Sequence, residues 1–335
     1  MGRFLARRLL FSVFVLWGVT VITFFLARVA PGDPARLIAG PHANAEALAN
    51  IRALYGLDQP LVAQYVRYLG DLLHGDLGMS FLTRRPVTTD LATYLPATLE
   101  LTAISLAVGA IIGIGLGVLA ALRHGTAVDG LSRFVAISGL SLPAFWLAMF
   151  LQLVVYSRLH LLPFGGRLDT GMSVPPFHTG LMTIDALLAG QPATFVAAVR
   201  HLILPVFTLA LAEIGLMARV VRTSMLETTG EDFVRTARAK GLRERRVVLR
   251  HTLRNALLPA VTVLGLEAAL LAGGVFVVET VFAWPGIGRY AYDAIRATDY
   301  NAIMGVTVVI AVAYVTINLL VDIAYVALDP RIRYS

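Results

Sequence analysis

Six long apolar stretches, separated by shorter polar segments, dominate the hydropathy pattern of this 335-residue chain. They cover residues 9–29, 98–122, 132–156, 202–221, 257–278 and 302–328. A helix needs about 20 mostly apolar residues to cross the hydrocarbon core of a bilayer, and each stretch supplies that length. The pattern therefore predicts an all-α fold, a polytopic membrane bundle of six transmembrane helices. Pro143 and Pro205 lie in the third and fourth stretches, where neighbouring groups can satisfy the freed backbone.

The segment 31–97 is too long for a simple turn between two spans. Helical periodicity over residues 45–54 and an amphipathic run over 61–73 predict a small outer helical cap, with a plain folded connector as the alternative. The expected organisation is an N-terminal anchor span at 1–30, an extracytoplasmic helical loop at 31–97 and a transmembrane core at 94–328. The first span is predicted to be an uncleaved anchor, because its apolar run exceeds the roughly 7–15 residues of a signal peptide.

Composition and charge support a membrane protein and predict its orientation. The chain is 57% apolar and only 15% charged, whereas soluble domains carry about 25% charged residues. Placing the N-terminus inside puts 17 of the 28 Lys and Arg residues in cytoplasmic segments, ten of them between Arg219 and Arg254. Because positive charge concentrates on the cytoplasmic side, we expect both termini inside. The same bias explains the basic isoelectric point without a nucleic-acid partner.

Most catalytic and cofactor motifs are absent from the sequence. There is no cysteine, no G-x-x-x-x-G-K-[ST] phosphate loop, no H-E-x-x-H and no G-x-S-x-G, and the seven histidines are scattered. We therefore expect no catalytic residues, no metal site and no cofactor. The chain is expected to bind or conduct a solute, and any pumping would draw on an ion gradient or on another subunit.

The densest basic segment, residues 231–259, lies between the fourth and fifth apolar stretches. Thr229 is the expected N-cap of a short helix, followed by acidic residues in the first turn, and Gly241 is the expected stop. A second helix is predicted over 243–258. Such a helix, with Phe233 and small residues on one side, could insert into a partner's groove or lie on anionic lipid, and charge alone favours neither.

Several short motifs, in order along the chain, resemble one family. They are FLARRL at 4–9, PGDP at 31–34, GDLGMS at 75–80, PATLEL at 96–101, TARAKGL at 236–242, RNALLP at 254–259, TVFAWPGIG at 280–288 and DPRIR at 329–333. Together with six spans they resemble the permeases of binding-protein-dependent ABC importers, most closely the dipeptide/oligopeptide/nickel branch. The likeness extends over nearly the whole chain. Relative to the family's Glu-Ala-Ala-x-x-x-Gly pattern, Arg235 and Thr236 replace the first two residues, whereas Ala237 and Gly241 match.

The resemblance implies an ABC importer type I permease fold, a permease subunit that is not itself an enzyme, and import of di- or oligopeptides by alternating access. The implied partners are a second related permease subunit, two cytoplasmic ATPase subunits or domains, an extracytoplasmic substrate-binding protein, the peptide and membrane lipid. The implied location is a bacterial or archaeal cytoplasmic membrane. A nickel-chelate or other small-solute permease remains an alternative, as does a stand-alone ion-coupled carrier, although no internal repeat supports the carrier.

The same resemblance implies that the cytoplasmic loop at 223–256, called the EAA loop in that family, couples the bundle to the ATPases. The expected ATPase-coupling residues are Phe233, Arg235, Thr236, Ala237, Arg238, Lys240 and Gly241. In this chain Arg235 stands in place of the first Glu of the family's pattern, which weakens any transfer of that Glu's role.

Two further features lie inside the spans. Gly109, Gly113 and Gly117 repeat every four residues and form a face for close helix packing, within one bundle or between subunits. Glu213 and Glu267 lie near the middles of spans four and five, where a charge costs about 3 kcal/mol on insertion scales. They are candidates to line the translocation pathway and meet a peptide ammonium group. The alternatives are a buried pair with an Arg or a backbone carbonyl, or a protonated carboxyl.

Overall fold

Helices account for nearly all regular structure in the computed structural model, which describes residues 2–29, 35–36, 44–272 and 275–328. They are α1 (Gly2–Val29), α2 (Ala45–Tyr55), α3 (Leu61–Leu73), α4 (Val87–Leu122), α5 (Ala127–Ser141), α6 (Ala144–Leu151), α7 (Met182–Leu188), α8 (Pro192–Thr229), α9 (Asp232–Ala239), α10 (Glu244–Arg246), α11 (Leu253–Ala272), α12 (Phe276–Val281), α13 (Ile287–Arg296) and α14 (Tyr300–Leu328). Two π-helical segments, Gln152–Arg158 and Val247–Thr252, extend α6 and join α10 to α11. The motifs at 31–34 and 329–333 lie outside the described residues.

Five helices of the described chain are long and apolar enough to cross a membrane, and there are six if a bent helix pair is counted as one span. The pair is α5 and α6, which meet at 101°. The third span predicted at 132–156 is therefore divided into two helices at Pro143, and α5 begins five residues earlier than predicted. Pro143 has no N–H to donate and disfavours helical backbone at Leu142, whose ψ is 122°.

The other predicted spans differ from the structure mainly at their ends. Helix α4 begins at Val87 instead of residue 98, and its 36 residues make it about 54 Å long, so it projects well beyond the membrane core. Helix α8 likewise extends past 202–221 in both directions. The fifth span was predicted over 257–278, but α11 ends at Ala272 and the separate helix α12 begins at Phe276.

Helices α4 and α8 form the centre of the bundle. Helix α5 packs on α8, α11 packs on α4, α8 and α14, and α1 packs on α14 and on α3 of the outer cap. The inner half of the core is built from α8 and α11 around Met217, Val221 and Ala256. The outer half joins α4, α8 and the loop carrying Trp284 through Leu101 and Leu202.

Ion pairs tie neighbouring helices together at the ends predicted to be cytoplasmic. Arg222 of α8 donates two hydrogen bonds to the buried Asp129 of α5, at 2.7 and 3.0 Å. Asp322 of α14 pairs with Arg8 of α1. This contact joins the first and last spans of the chain.

The described part of the segment 31–97 contains two helices. Helix α2 begins after Asn44, whose side chain accepts a hydrogen bond from the backbone N–H of Ala47 at 2.8 Å, and ends at Gly56 in the left-handed conformation. Helix α3 has the predicted bounds. It packs on the outer end of α1 through Tyr65 and Tyr68, which contact Phe24.

Candidate functional site

The basic segment between α8 and α11 forms a helical hairpin, which we call the basic hairpin (residues 231–252). Helix α9 begins after Glu231 and is followed by Gly241 with a φ of 71°. This left-handed backbone suits glycine and turns the chain towards α10. Gly241 therefore ends the helix as predicted. Thr229 is not the N-cap: it is the last residue of α8, and its hydroxyl donates to the carbonyl of Met225 at 2.6 Å.

One face of α9 is buried against the second arm of the hairpin. Val234 and Ala237 pack against Val247 and Leu242. Ala237 is only 6% exposed, so it holds the helix in place and is not part of its free surface. A hydrogen bond from Arg238 to Glu244, at 2.8 Å, joins the two arms across their exposed side.

The remaining predicted coupling residues form the exposed face of α9 and its end. These residues are Phe233, Arg235, Thr236, Arg238, Lys240 and Gly241. Phe233 is 42% exposed and stands among charged side chains. The result is a short basic helix with one aromatic side chain, supported from behind by an apolar core and lying outside the bundle. Such a surface suits a groove on a protein partner or an anionic lipid surface.

The three spaced glycines lie between α4 and α8. A Cβ at Gly109 would be 2.7 Å from the Cβ of Glu213, and one at Gly113 would be 2.5 Å from the Cβ of Met217. A Cβ at Gly117 would be 2.8 Å from the carbonyl oxygen of Ala218. The glycine face therefore lets two helices of the same chain approach closely.

Glu213 is buried at this helix contact. The residue is 5% exposed, and neither carboxyl oxygen has a hydrogen-bond partner among the described residues. Glu267 on α11 is half-buried and near enough to act on Glu213 electrostatically. In the described chain no arginine is placed to neutralise Glu213.

A second polar cluster, which sequence reasoning missed, lies at the outer end of α4. Glu100 is 3% exposed and accepts hydrogen bonds from Arg167 at 2.5 Å and from the backbone and hydroxyl of Thr183 at 2.8 and 2.6 Å. The Arg167 guanidinium also lies over the Trp284 ring, 5.7 Å from its centroid. Glu100 therefore anchors the 160–183 loop to the bundle.

The 280–288 motif is held to the same end of α4 by Glu279 and Thr98. The Thr98 hydroxyl donates to Glu279 at 2.5 Å and accepts the N–H of Ile287 at 2.8 Å. A Cβ at Gly286 would be 2.2 Å from Glu279 Oε1, so only glycine permits this contact. The Trp284 indole donates to the carbonyl of Ala97 at 2.9 Å.

Two more buried acids join the 75–80 motif and α13 to this region. Asp299 accepts hydrogen bonds from the Ser80 hydroxyl and the Leu82 N–H at 2.6 and 3.0 Å. Asp90 accepts one from the Tyr290 hydroxyl at 3.0 Å. Burial and the nearby Asp90 carboxylate raise the pKa of Tyr290, so the phenol keeps its proton and remains a donor.

Asp185 accepts hydrogen bonds from residues of the loop that precedes it. Burial raises its pKa, but the hydroxyl and N–H of Thr179 and the N–H of Gly180, at 2.7, 2.8 and 2.9 Å, outweigh burial and leave the pKa below its ordinary value. The buried acids of this outer side, Asp90, Glu100, Asp185, Glu279 and Asp299, are all hydrogen-bonded carboxyls. Their arrangement fixes loop geometry, and no group of three metal-ligating side chains occurs among the described residues.

Of these outer acids, only Glu100 lies inside one of the quoted motifs, at 96–101, and Glu279 directly precedes the motif at 280–288. Glu100, Glu279 and Asp299 have partners far away in the chain, and no local spacing identifies those pairs. Arg167 lies in none of the motifs.

The chain is similar throughout its length to a family of membrane transport components. Residues 113–334 match the binding-protein-dependent transport system inner membrane component family, and residues 1–102 match the N-terminal family of such membrane components. It is 48% identical over 320 residues to a probable D,D-dipeptide transport system permease protein of Escherichia coli (strain K12), covering 96% of this chain and 94% of that protein.

Other relatives and a solved structure are also similar. The chain is 42% identical to a di/tripeptide transport system permease protein of Pseudomonas aeruginosa (strain UCBPP-PA14), covering 99% of each, and 39% identical to a glutathione transport system permease protein of Shigella flexneri serotype 5b, covering all of each. The inward-facing MetNI methionine ABC transporter is similar with 20% identity and a TM-score of 0.49, over 70% of this chain and 93% of that one.

Proposed function

Since the chain belongs to the binding-protein-dependent transport system inner membrane component family, and is thereby a multi-pass component of the inner membrane, we propose that it is the permease subunit of an ATP-driven peptide importer. The observation that carries this proposal is the basic hairpin: a helix outside the bundle, with an exposed aromatic and basic face supported by its own core. A stand-alone carrier would have no partner for this exposed helix to contact.

The proposed assembly contains a second related permease subunit, two cytoplasmic ATPase subunits or domains and an extracytoplasmic binding protein. The ATPases hydrolyse ATP, and this chain has no catalytic part in that reaction. Their closure moves the exposed face of α9, the helices of the bundle shift, and a released substrate passes inward by alternating access. The outer loop 31–97 is the proposed contact for the binding protein.

The proposed substrate is a di- or oligopeptide. The relatives described above are named for D,D-dipeptides, di- and tripeptides, and glutathione. These substrates are short peptides with an ammonium group. Uptake of labelled peptides of graded length, in competition with a nickel chelate, measures the substrate class. Import of the chelate with no peptide uptake would overturn this assignment.

Proteoliposomes test the energy source directly. Vesicles containing the assembled complex, binding protein and internal ATP should accumulate peptide, whereas vesicles containing this chain alone should only equilibrate, with or without an ion gradient. Uphill accumulation by the chain alone would refute the proposal.

The coupling role of α9 is tested by neighbouring residues on opposite faces. Phe233→Ala should lower ATP-driven uptake about tenfold, the loss expected when an interface anchor is truncated, with no change in the Tm of the complex. The control Val234→Ala empties space in the buried core of the hairpin and should lower stability by about 2 kcal/mol, while uptake per intact complex persists. Equal uptake by Phe233→Ala and the unmodified complex would mean that α9 is not part of the coupling surface.

We further propose that Glu213 and Glu267 line the pathway and meet the peptide ammonium group. The unpartnered oxygens of Glu213 support this role. Glu213→Gln keeps the volume and should reduce peptide uptake about tenfold, the factor for one charge-assisted hydrogen bond, while ATPase activity continues. Glu227→Gln, an exposed change on the same helix, is the control. A drop in Tm with unchanged uptake would mean that Glu213 is structural.

A further inference from the structure

A polar cavity lies in the outer cap, apart from the basic hairpin and the α4–α8 contact. It has a volume of about 260 Å³ and is bounded by the outer end of α1, by α3, by the 76–81 turn and by the start of α14. Four charged side chains line it: Arg28, Arg67, Asp71 and Asp76. The lining is thus balanced between two basic and two acidic groups.

Three buried polar atoms of residues that line this cavity have no hydrogen-bond partner among the described residues. They are Nε of Arg28, Oε1 of Gln64 and the hydroxyl oxygen of Tyr68. The Gln64 amide nitrogen donates to the carbonyls of Leu57 and Gln59 at 3.1 and 2.8 Å, which holds the amide and leaves its oxygen free. Burying polar atoms without partners is costly. The unmet donor of Arg28, the unmet acceptor of Gln64 and the Tyr68 hydroxyl, which can be either, therefore point to a ligand that both accepts and donates hydrogen bonds.

The position of the cavity indicates where that ligand comes from. Arg28 is the last residue of the α1 span, so the cavity lies where the hydrocarbon core ends. Ile22 and Leu26, both within two helical turns of Arg28, are 61% and 64% exposed, as expected of side chains that face lipid. Phe24 forms the floor, with the Arg28 guanidinium 5.3 Å above its ring centroid. Aromatic and basic residues at this depth are typical of the headgroup region.

We propose that this cavity binds the phosphoethanolamine headgroup of an outer-leaflet phospholipid. The phosphate receives hydrogen bonds from Arg28 and Arg67, and the primary ammonium donates to Gln64 Oε1 and to the carboxylates at the rim. A purely anionic headgroup would face Asp71 and Asp76 without a cation to pair with them. A choline headgroup has no N–H to donate to Gln64.

Native mass spectrometry of the delipidated transporter complex tests the site. The probes are dihexanoyl-phosphatidylethanolamine, the matching phosphatidylglycerol and phosphatidylcholine, and chain-free glycerophosphoethanolamine. The ethanolamine lipid should bind at least about tenfold more tightly than the other two lipids, the factor for one charge-assisted hydrogen bond. Equal binding of all three lipids would overturn the headgroup assignment. Glycerophosphoethanolamine binding as tightly as the lipid would overturn the membrane as the source.

Two variants and one control locate the binding. Arg28→Gln should weaken binding of the ethanolamine lipid about tenfold, whereas Arg158→Gln, an exposed change at the outer end of the α6 extension, should leave it unchanged. Asp71→Asn removes an exposed carboxylate. It should therefore lower the ratio of the affinity for the ethanolamine lipid to that for the glycerol lipid, without affecting folding. Equal affinities in Arg28→Gln and Arg158→Gln would place the lipid elsewhere and refute the proposal.

Discussion

Individual buried acids in this protein fall into two groups. Asp90, Glu100, Glu279 and Asp299 are at most 3% exposed, and each receives several hydrogen bonds that hold outer segments to the helix ends. Glu213 is nearly as buried but receives none from the described residues. A buried charge is costly unless it is paired. The paired acids therefore serve structure, and the unpaired acid is the one to examine for transport.

Glu100 provides the residue-scale test of this distinction. Glu100→Gln leaves the Arg167 guanidinium, 11% exposed, without its counter-charge, and breaking a buried pair in this way costs about 3–5 kcal/mol. The Tm of the purified complex should fall clearly. The exposed change Glu227→Gln on α8 serves as the control and should leave the Tm unchanged. A Tm equal to that of the control would mean that the Glu100–Arg167 pair contributes nothing to stability.

At the scale of elements, two local sequence features determine how the long helices meet. The glycine face of α4 lets α8 approach until side chains of α8 touch the α4 backbone, as Met217 does at Gly113. Pro143 has the opposite effect and separates α5 from α6. Both arise from backbone sterics, but the first needs a partner helix to take effect, whereas the second acts within its own segment.

Gly113→Ala tests the close helix contact. Its Cβ would lie 2.5 Å from the Met217 Cβ and 3.0 Å from the Ile214 carbonyl oxygen, so α4 and α8 must separate at a cost of about 1–3 kcal/mol. The matched control is Gly115→Ala on the same helix, where no atom lies within 4 Å of the new Cβ. That variant should be neutral or stabilised by up to about 1 kcal/mol, because alanine favours helix. Equal thermal stability of the two variants would contradict tight packing at Gly113.

At the scale of the whole molecule, the chain has an outer cap, a helical bundle and a basic hairpin arranged in that order. The cap is built from α2, α3 and the carboxylate-anchored loops, while the hairpin continues from α8 into α11. The asymmetry of Lys and Arg predicts that the hairpin lies in the cytoplasm. This orientation is necessary for the proposed ATPase partners to reach α9.

The absence of cysteine makes this topology measurable with single cysteines. Lys240→Cys in the basic hairpin should react with a membrane-impermeant maleimide in inverted vesicles but not in intact cells. Asp58→Cys, between α2 and α3, should react in intact cells but not in inverted vesicles. Val234→Cys, which is buried, should react only after denaturation. Labelling of Lys240→Cys in intact cells would contradict the predicted orientation.

The sequence by itself determined the membrane-spanning stretches, the two cap helices, the hairpin turn at Gly241 and the family resemblance. These features depend on hydropathy over about 20 residues, helical periodicity or a single backbone preference, all of which are local. The orientation can likewise be predicted from the sequence, because the positive-inside bias depends only on the number of Lys and Arg residues between spans.

Only the tertiary structure decided which residues meet. Ser80 binds Asp299, Thr98 binds Glu279 and Arg167 binds Glu100 across long stretches of chain, and no periodicity encodes those pairs. The inward face of Ala237 likewise depends on Val247, beyond the turn. The 101° bend at Pro143 also required the structure, since a membrane helix can absorb a proline or break there depending on its neighbours.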